Sequence, residues 1–233
     1  IVDYSETKSI VEETEADWGP IDILVNNAGI SYRGAVEDMS NSEEHRQMQV
    51  NYFGPMNLIR ACLPCMRRRK QGRIINVSSV GGMMAMPTMA SYSASKFALE
   101  GASESLWYEL KPWNIKVTLV RPGFINSLAF TKVQYPQSVE NADRPNAYAH
   151  HYLNMTRFVE KLMKRTPCTS LDVARSIYKA TFMKHPPLRM AGTPDASLFY
   201  FLRRILPRWA YHKLLYISLP GIKDWGKPMT DEK

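Results

Sequence analysis

Cysteine is scarce in this sequence. Three thiols in 233 residues exclude a disulfide-held scaffold and suit a reducing compartment. Long apolar runs are missing too: no stretch approaches the roughly 18 consecutive apolar residues that a membrane-spanning helix needs. The five histidines show no metal-ligand spacing, so no metal is expected. Acidic residues are the minority charge, 22 against 30 Lys and Arg, which leaves a net charge of +8. That balance permits a phosphate-bearing cofactor, an anionic membrane or nucleic acid as partner without choosing among them. An initiating Met is missing as well, since the chain opens at Ile1, and any upstream leader or anchor is unreadable. What is present suffices for one α/β domain, because 45% apolar and 22% charged residues build a core and argue against disorder.

Helix and strand patterns alternate along the chain, which predicts a mostly parallel sheet covered on both faces. Asp3 and Glu6 open a helix carrying Ile10, Val11, Thr14 and Trp18, and Gly19-Pro20 ends it. A buried strand over Ile21 to Val25 runs into Asn26-Asn27-Ala28-Gly29. Ser40 and Glu43 form a capping box for one long helix with Met48, Tyr52, Leu58, Ile59 and Leu63, ending in the basic run at Arg67 to Lys70. Further strands are expected at Arg73 to Val77, Ile115 to Val120 and Leu188 to Ala191, and further helices at Ser91 to Leu110, His151 to Lys164 and Leu171 to Lys184. The polar, turn-rich stretch from Phe124 to Tyr148 reads as a mobile loop or lid.

The chemistry starts at Tyr92-Ser93-Ala94-Ser95-Lys96. On a helix the phenol and the ammonium share one face. A nearby cation favours the phenolate, so the pair can exchange a proton with a carbonyl or alcohol oxygen while hydride moves at carbon. Alone this spacing is common. Here Ser79 follows a strand, Asn26 to Gly29 follow an earlier one, Asn51 lies on the helix between, and Pro122-Gly123 follow a third. In open parallel sheets, ligands bind at the carboxyl ends of the strands, where all these groups fall.

In this combination and order the sequence resembles the short-chain dehydrogenase/reductase family, from the first helix to about Ala191. The resemblance implies a Rossmann-like, doubly wound parallel sheet and an oxidoreductase interconverting an alcohol and a ketone or aldehyde with NADP or NAD. It implies that Tyr92 is the general acid/base, that Lys96 lowers its pKa and holds the nicotinamide ribose, and that Ser79 polarises the substrate carbonyl. Asn51 is implied to hold a water linking Lys96 to a proton relay. Asn27, Ala28 and Gly29 are implied to line the cofactor ribose, and Pro122, Gly123, Ile125 and Ser127 the nicotinamide end. Ser127 stands where the family often carries Thr, a change that keeps the hydroxyl. A homo-oligomer is implied by the family's pairing through the long helices after Asn51 and at Tyr92.

The front of the family's fold, with its Gly-rich phosphate turn, has no counterpart here. The sheet is therefore expected to be incomplete on its N-terminal side, with about sixty residues absent by comparison with a full doubly wound domain, as in a truncated copy of an active enzyme. The alternative is a non-catalytic binding or scaffold protein that kept the motifs and lost the dinucleotide site. NAD against NADP is set in the missing part, and the basic balance leans towards NADP.

Residues 1-193 are read as the partial catalytic domain, with a substrate-covering region at about 124-165, and 194-233 as a basic, aromatic C-terminal extension. Leu198, Phe201, Leu202, Ile205 and Leu206 share one helical face, Pro207 breaks the helix, and no acid occurs from Ala196 to Pro220. This extension is either a helix pair packed on the core or closing the substrate pocket, or a membrane-surface element over 196-220. The methionines at 83, 84, 86 and 89 suit an adaptable apolar substrate wall, and Met155, Phe158 and Leu162 are either pocket or plain core. With the tail they favour a small lipophilic carbonyl or alcohol of steroid, retinoid or acyl type. The pair Cys62 and Cys65 and the run Arg67 to Lys70 read as helix filler and a solvated helix end, so no nucleic-acid partner is expected. His150 and His151 read as a surface pair.

Overall fold

A computed structural model describes residues 2–127, 132–140 and 147–227. Helix α1 (Tyr4–Trp18) starts at Asp3, whose carboxylate accepts from the Glu6 amide and so satisfies one of the amides left open at a helix start. It leads to strand β1 (Ile23–Asn26). The expected single long helix is instead three pieces: α2 (Asn41–Met48), a π-helical turn at Gln49–Phe53, and α3 (Gly54–Arg69). Pro55 explains the break, because it has no amide to donate to the Asn51 carbonyl, while the Gly54 amide reaches back to Gln49 instead. The capping box at Ser40 is present as expected.

Strand β2 (Gly72–Val77), α4 (Ala90–Leu110) and β3 (Ile115–Arg121) follow. Next come the short α5 (Gln137–Glu140), α6 (Ala149–Arg165), α7 (Ser170–Phe182) and β4 (Arg189–Ala191). The tail forms α8 (Pro194–Ile205) and α9 (Arg208–Ser218), separated at Pro207. Residues 128–131 and 141–146 of the expected lid lie outside the described residues.

The four strands are parallel and in sequence order, β1-β2-β3-β4. Side chains alternate across a strand, and the core divides accordingly. Ile74 and Val117 pack with Ile59, Cys62 and Met66 of α3 and Leu99 of α4. On the other face, Ile75 and Val120 pack with Val173 and Ala180 of α7. This is the Rossmann-like arrangement with helices on both faces. Strand β1 is an edge among the described residues, and its Ile23 and Val25 are each 40% exposed. Helix α1 meets α3 through buried Thr7 and Val11, so Trp18, expected on the packing stripe, is 89% exposed.

Candidate active site

The site lies beyond the carboxyl ends of β1, β2 and β3, where the chain leaves the sheet at Asn27, Ser78 and Pro122. A cleft of about 470 Å³ opens there, large enough for a small ligand. It brings together Asn27, Gly29, Ser79, Tyr92, Lys96, Pro122, Gly123, Ile125 and Ser127. Ala28 is exposed and does not line the cleft. Asn51 stands just behind it.

Helical geometry places Tyr92 in the first turn of α4 and Lys96 one turn later. The Ser79 hydroxyl accepts from the Gly81 amide at 3.0 Å and stands beside the Tyr92 phenol. Burial pushes the phenol above its ordinary value, and the Ser79 hydrogen bond partly offsets that. The resemblance implies a Tyr92 pKa lowered by Lys96; among the influences on the phenol here, burial is the largest and acts in the opposite direction. Lys96 is 6% exposed, donates to the Val77 carbonyl at 3.0 Å and lies 5.9 Å from the centre of the Tyr92 ring. Its own burial lowers its pKa to about 8, with Glu100 one turn further on opposing the drop. At neutral pH the phenol therefore keeps its proton and the ammonium keeps its charge.

Two backbone features set this geometry. Gly81 leaves the space that Tyr92 fills, since a Cβ there would lie 2.9 Å from Cε1 of the ring. Gly123 leaves room for the Asp195 carboxylate, whose Oδ2 would come within 2.1 Å of such a Cβ. That carboxylate accepts from the Phe124 amide at 2.8 Å, and Thr193 Oγ1 accepts from the Gly123 amide at 2.8 Å. The loop after β3 is thus tied to the start of α8.

The π turn aims Asn51 inward. Its Oδ1 accepts from the Ile30 amide at 2.9 Å, and its Nδ2 donates to the Ile30 carbonyl at 2.9 Å and to Ser95 Oγ at 3.0 Å. Gly29 lies between Asn51 and Lys96, with a Cβ there falling 3.2 Å from Asn51 Oδ1 and 3.7 Å from Lys96 Nζ. Among the described residues, Ser127 Oγ is buried without a hydrogen-bond partner. A carboxamide presented at that end of the cleft would satisfy it, so the residues present fit a nicotinamide.

The apolar wall comes from Val80, Met84, Met86 and Met89 on one side and Val159 and Met163 of α6 on the other. Met83 turns away and packs with Val80 and Ala196. Of the α6 residues expected from the sequence, Met155 is core at 2% exposure, and neither Phe158 nor Leu162 lines the cleft. The inward stripe is offset by one residue.

Several site residues have no sequence signal. Arg33 is buried and lines the cleft, its guanidinium hydrogen-bonded to Tyr135 and close to Glu160. Its segment is held by a bridge between Tyr32 and Gln134. No Asp or Glu is among the described residues lining the cleft, whereas Arg33, Lys96 and Lys132 are. Glu100 is 4% exposed and pairs with Arg121 and Arg189, which fixes the end of β3 against α4. Cys62 is fully buried and its thiol is raised to about 11 by burial, so it is inert filler as expected. Arg69 pairs with Asp22 at the solvated end of α3. His151 stacks near Trp225, with ring centres 4.3 Å apart, away from the cleft lining.

A reductase named 3-ketodihydrosphingosine reductase from Bacteroides thetaiotaomicron is 38% identical over 203 residues, covering 86% of this chain and 74% of that protein. A solved short-chain dehydrogenase from Streptomyces avermitilis superposes with a TM-score of 0.74 at 30% identity, covering 93% of this chain and 78% of that one. A gluconate 5-dehydrogenase from Burkholderia cenocepacia, solved with NADP and tartrate, matches with a TM-score of 0.54 at 32% identity over 55% of this chain and 50% of that one. The family model described as short chain dehydrogenase matches residues 1–137. With this match and these relatives, the chain belongs to the short-chain dehydrogenase family and is an oxidoreductase of that family.

Proposed function

We propose that this protein interconverts an alcohol and a ketone or aldehyde on a small lipophilic substrate, with NADP or NAD as the redox partner. The observation that carries the reading is that Ser79, Tyr92 and a buried Lys96 line one methionine-walled cleft together. A protonated phenol donates to a carbonyl oxygen, and the Ser79 hydroxyl beside it is placed to donate to the same oxygen and polarise the bond. Lys96 supplies a charge that stabilises oxygen as it becomes anionic in a site walled from water. Asn51 holds the Ile30 backbone and so the floor next to Lys96; we propose that it also positions the water of a proton relay.

When bound, the dinucleotide supplies or accepts the hydride. Ser127 would take its carboxamide, Pro122, Gly123 and Ile125 would border the nicotinamide, and Gly29, Asn27 and Lys96 would meet its ribose. The net charge of +8 favours NADP over NAD, and the NADP complex of the gluconate 5-dehydrogenase neighbour supports the same preference. The methionine wall and the lipid substrate in the name of the Bacteroides relative support a lipophilic carbonyl of steroid, retinoid or acyl type. The family's oligomeric habit is carried forward with it, and the exposed Phe97 and Tyr108 of α4 support pairing through that helix.

The test is Tyr92→Phe, assayed with NADPH and NADH against a panel of lipophilic ketones. Turnover should fall by about 10²–10⁴, the usual contribution of general acid catalysis, with nucleotide binding by fluorescence retained. Turnover within tenfold of the parent would overturn the mechanism. A parent protein that binds neither nucleotide and turns over none of the panel would favour the scaffold reading.

A further inference from the structure

The tail is two-sided. Inward, Ala196 and Phe199 of α8 pack on Val80 and Met83, the Phe199 ring meets Phe124 edge-on, and the Tyr211 hydroxyl of α9 reaches Met84 Sδ at 3.6 Å. Val80, Met84 and Phe124 all line the catalytic cleft, so α8 and α9 buttress its wall. Outward, Leu198, Phe201 and Ile205 on α8 and Trp209, Tyr216 and Ile217 on α9 are between 55% and 73% exposed. Their spacing puts each set on one stripe of its helix.

Exposed Arg204, Arg208 and Lys213 border or interrupt these stripes, and no acidic residue occurs from Ala196 to Pro220. At 12 and 11 residues, neither helix is long enough to cross a bilayer core of about 30 Å. Large apolar and aromatic side chains flanked by cations, with acids excluded, are the composition of a helix lying in the plane of a lipid interface. A two-fold contact between copies would set this acid-free basic patch against itself, which opposes a dimer there.

We propose that α8 and α9 form a docking surface for an anionic phospholipid membrane. The helices that buttress the cleft wall then rest on the lipid from which a lipophilic substrate partitions. The docking rests on the outward face alone and is measured without turnover, so it stands or falls separately from the catalytic reading.

The experiment is co-sedimentation of the protein with phosphatidylcholine vesicles, and with the same vesicles containing phosphatidylserine. Binding should be strong only with phosphatidylserine and should weaken as salt is added. The combined variant Arg204→Gln, Arg208→Gln, Lys213→Gln should bind about a hundredfold more weakly, from about fivefold per cation near an anionic surface. The combined variant Phe201→Glu, Trp209→Glu should lose binding altogether. Both variants change exposed side chains, so an unchanged melting temperature verifies the fold. No vesicle binding, or binding unaffected by either variant, overturns the proposal. So does a concentration-dependent dimer that Phe201→Glu, Trp209→Glu abolishes without any vesicle binding, which would assign the face to a second copy.

Discussion

Replacing Lys96 by Met tests whether the active-site ammonium is held at a cost to stability. Its pKa falls from the ordinary 10.5 to about 8 on burial, which corresponds to roughly 3 kcal/mol against the charged form. The unfolded chain binds the proton more tightly than the folded one, so stability should rise as pH rises from about 8 towards 10.5. Below about 8 the full penalty is present. The Met variant has no proton to bind and lacks this slope. It also loses the hydrogen bond to the Val77 carbonyl, and a buried acceptor left open costs about 1–3 kcal/mol. At pH 7 these two effects nearly cancel, leaving the variant equal to the parent or more stable by up to about 2 kcal/mol. Near pH 10.5 only the lost hydrogen bond remains, and the variant should be the less stable by about 1–3 kcal/mol. Urea unfolding of both proteins across this range gives the difference directly, with other titrating groups cancelling between them. A difference that does not change with pH, or that moves towards the variant as pH rises, refutes the reasoning. The variant should be inactive throughout, so activity here opposes stability.

Glu100→Gln removes the charge opposite buried Arg121 and should destabilise the fold by about 3 kcal/mol, measured by thermal or urea unfolding. Because Glu100 opposes the drop in the Lys96 pKa, the Lys96 titration followed by NMR should also move below 8 in this variant. Gly81→Ala places a methyl 2.9 Å from the Tyr92 ring; displacing the phenol by up to about 1 Å should lower kcat by about 10²-fold with a change of only a few degrees in melting temperature. Met163→Ala enlarges the cleft wall; the preference for bulky over small ketones, read as the ratio of kcat/KM, should rise by about 10-fold, the scale of one or two methylenes in an apolar pocket.

The parts of this protein that the sequence alone determined are those fixed by local geometry. Helical spacing puts Tyr92 and Lys96 on one face, Ser79 and Pro122 follow strands because apolar runs end there, and Ser40 with Glu43 caps its helix wherever that helix packs. The order of these pieces sufficed for the parallel sheet and for the family. What tertiary structure decided depends on partners distant in the chain. The stripe of α6 that faces the cleft, Val159 and Met163 instead of Met155, Phe158 and Leu162, follows from how α6 docks, and its periodicity alone leaves that rotation open. Arg33 enters the cleft because Tyr32 bridges to Gln134, about a hundred residues away. Asn51 faces inward because Pro55 forces a π turn, and Glu100, which does not line the cleft, finds its partners only once Arg121 and Arg189 arrive from neighbouring strands. The balance of charge on Tyr92 and Lys96 belongs to this second group, since burial is set by everything packed around a residue while spacing reports only its neighbours in sequence.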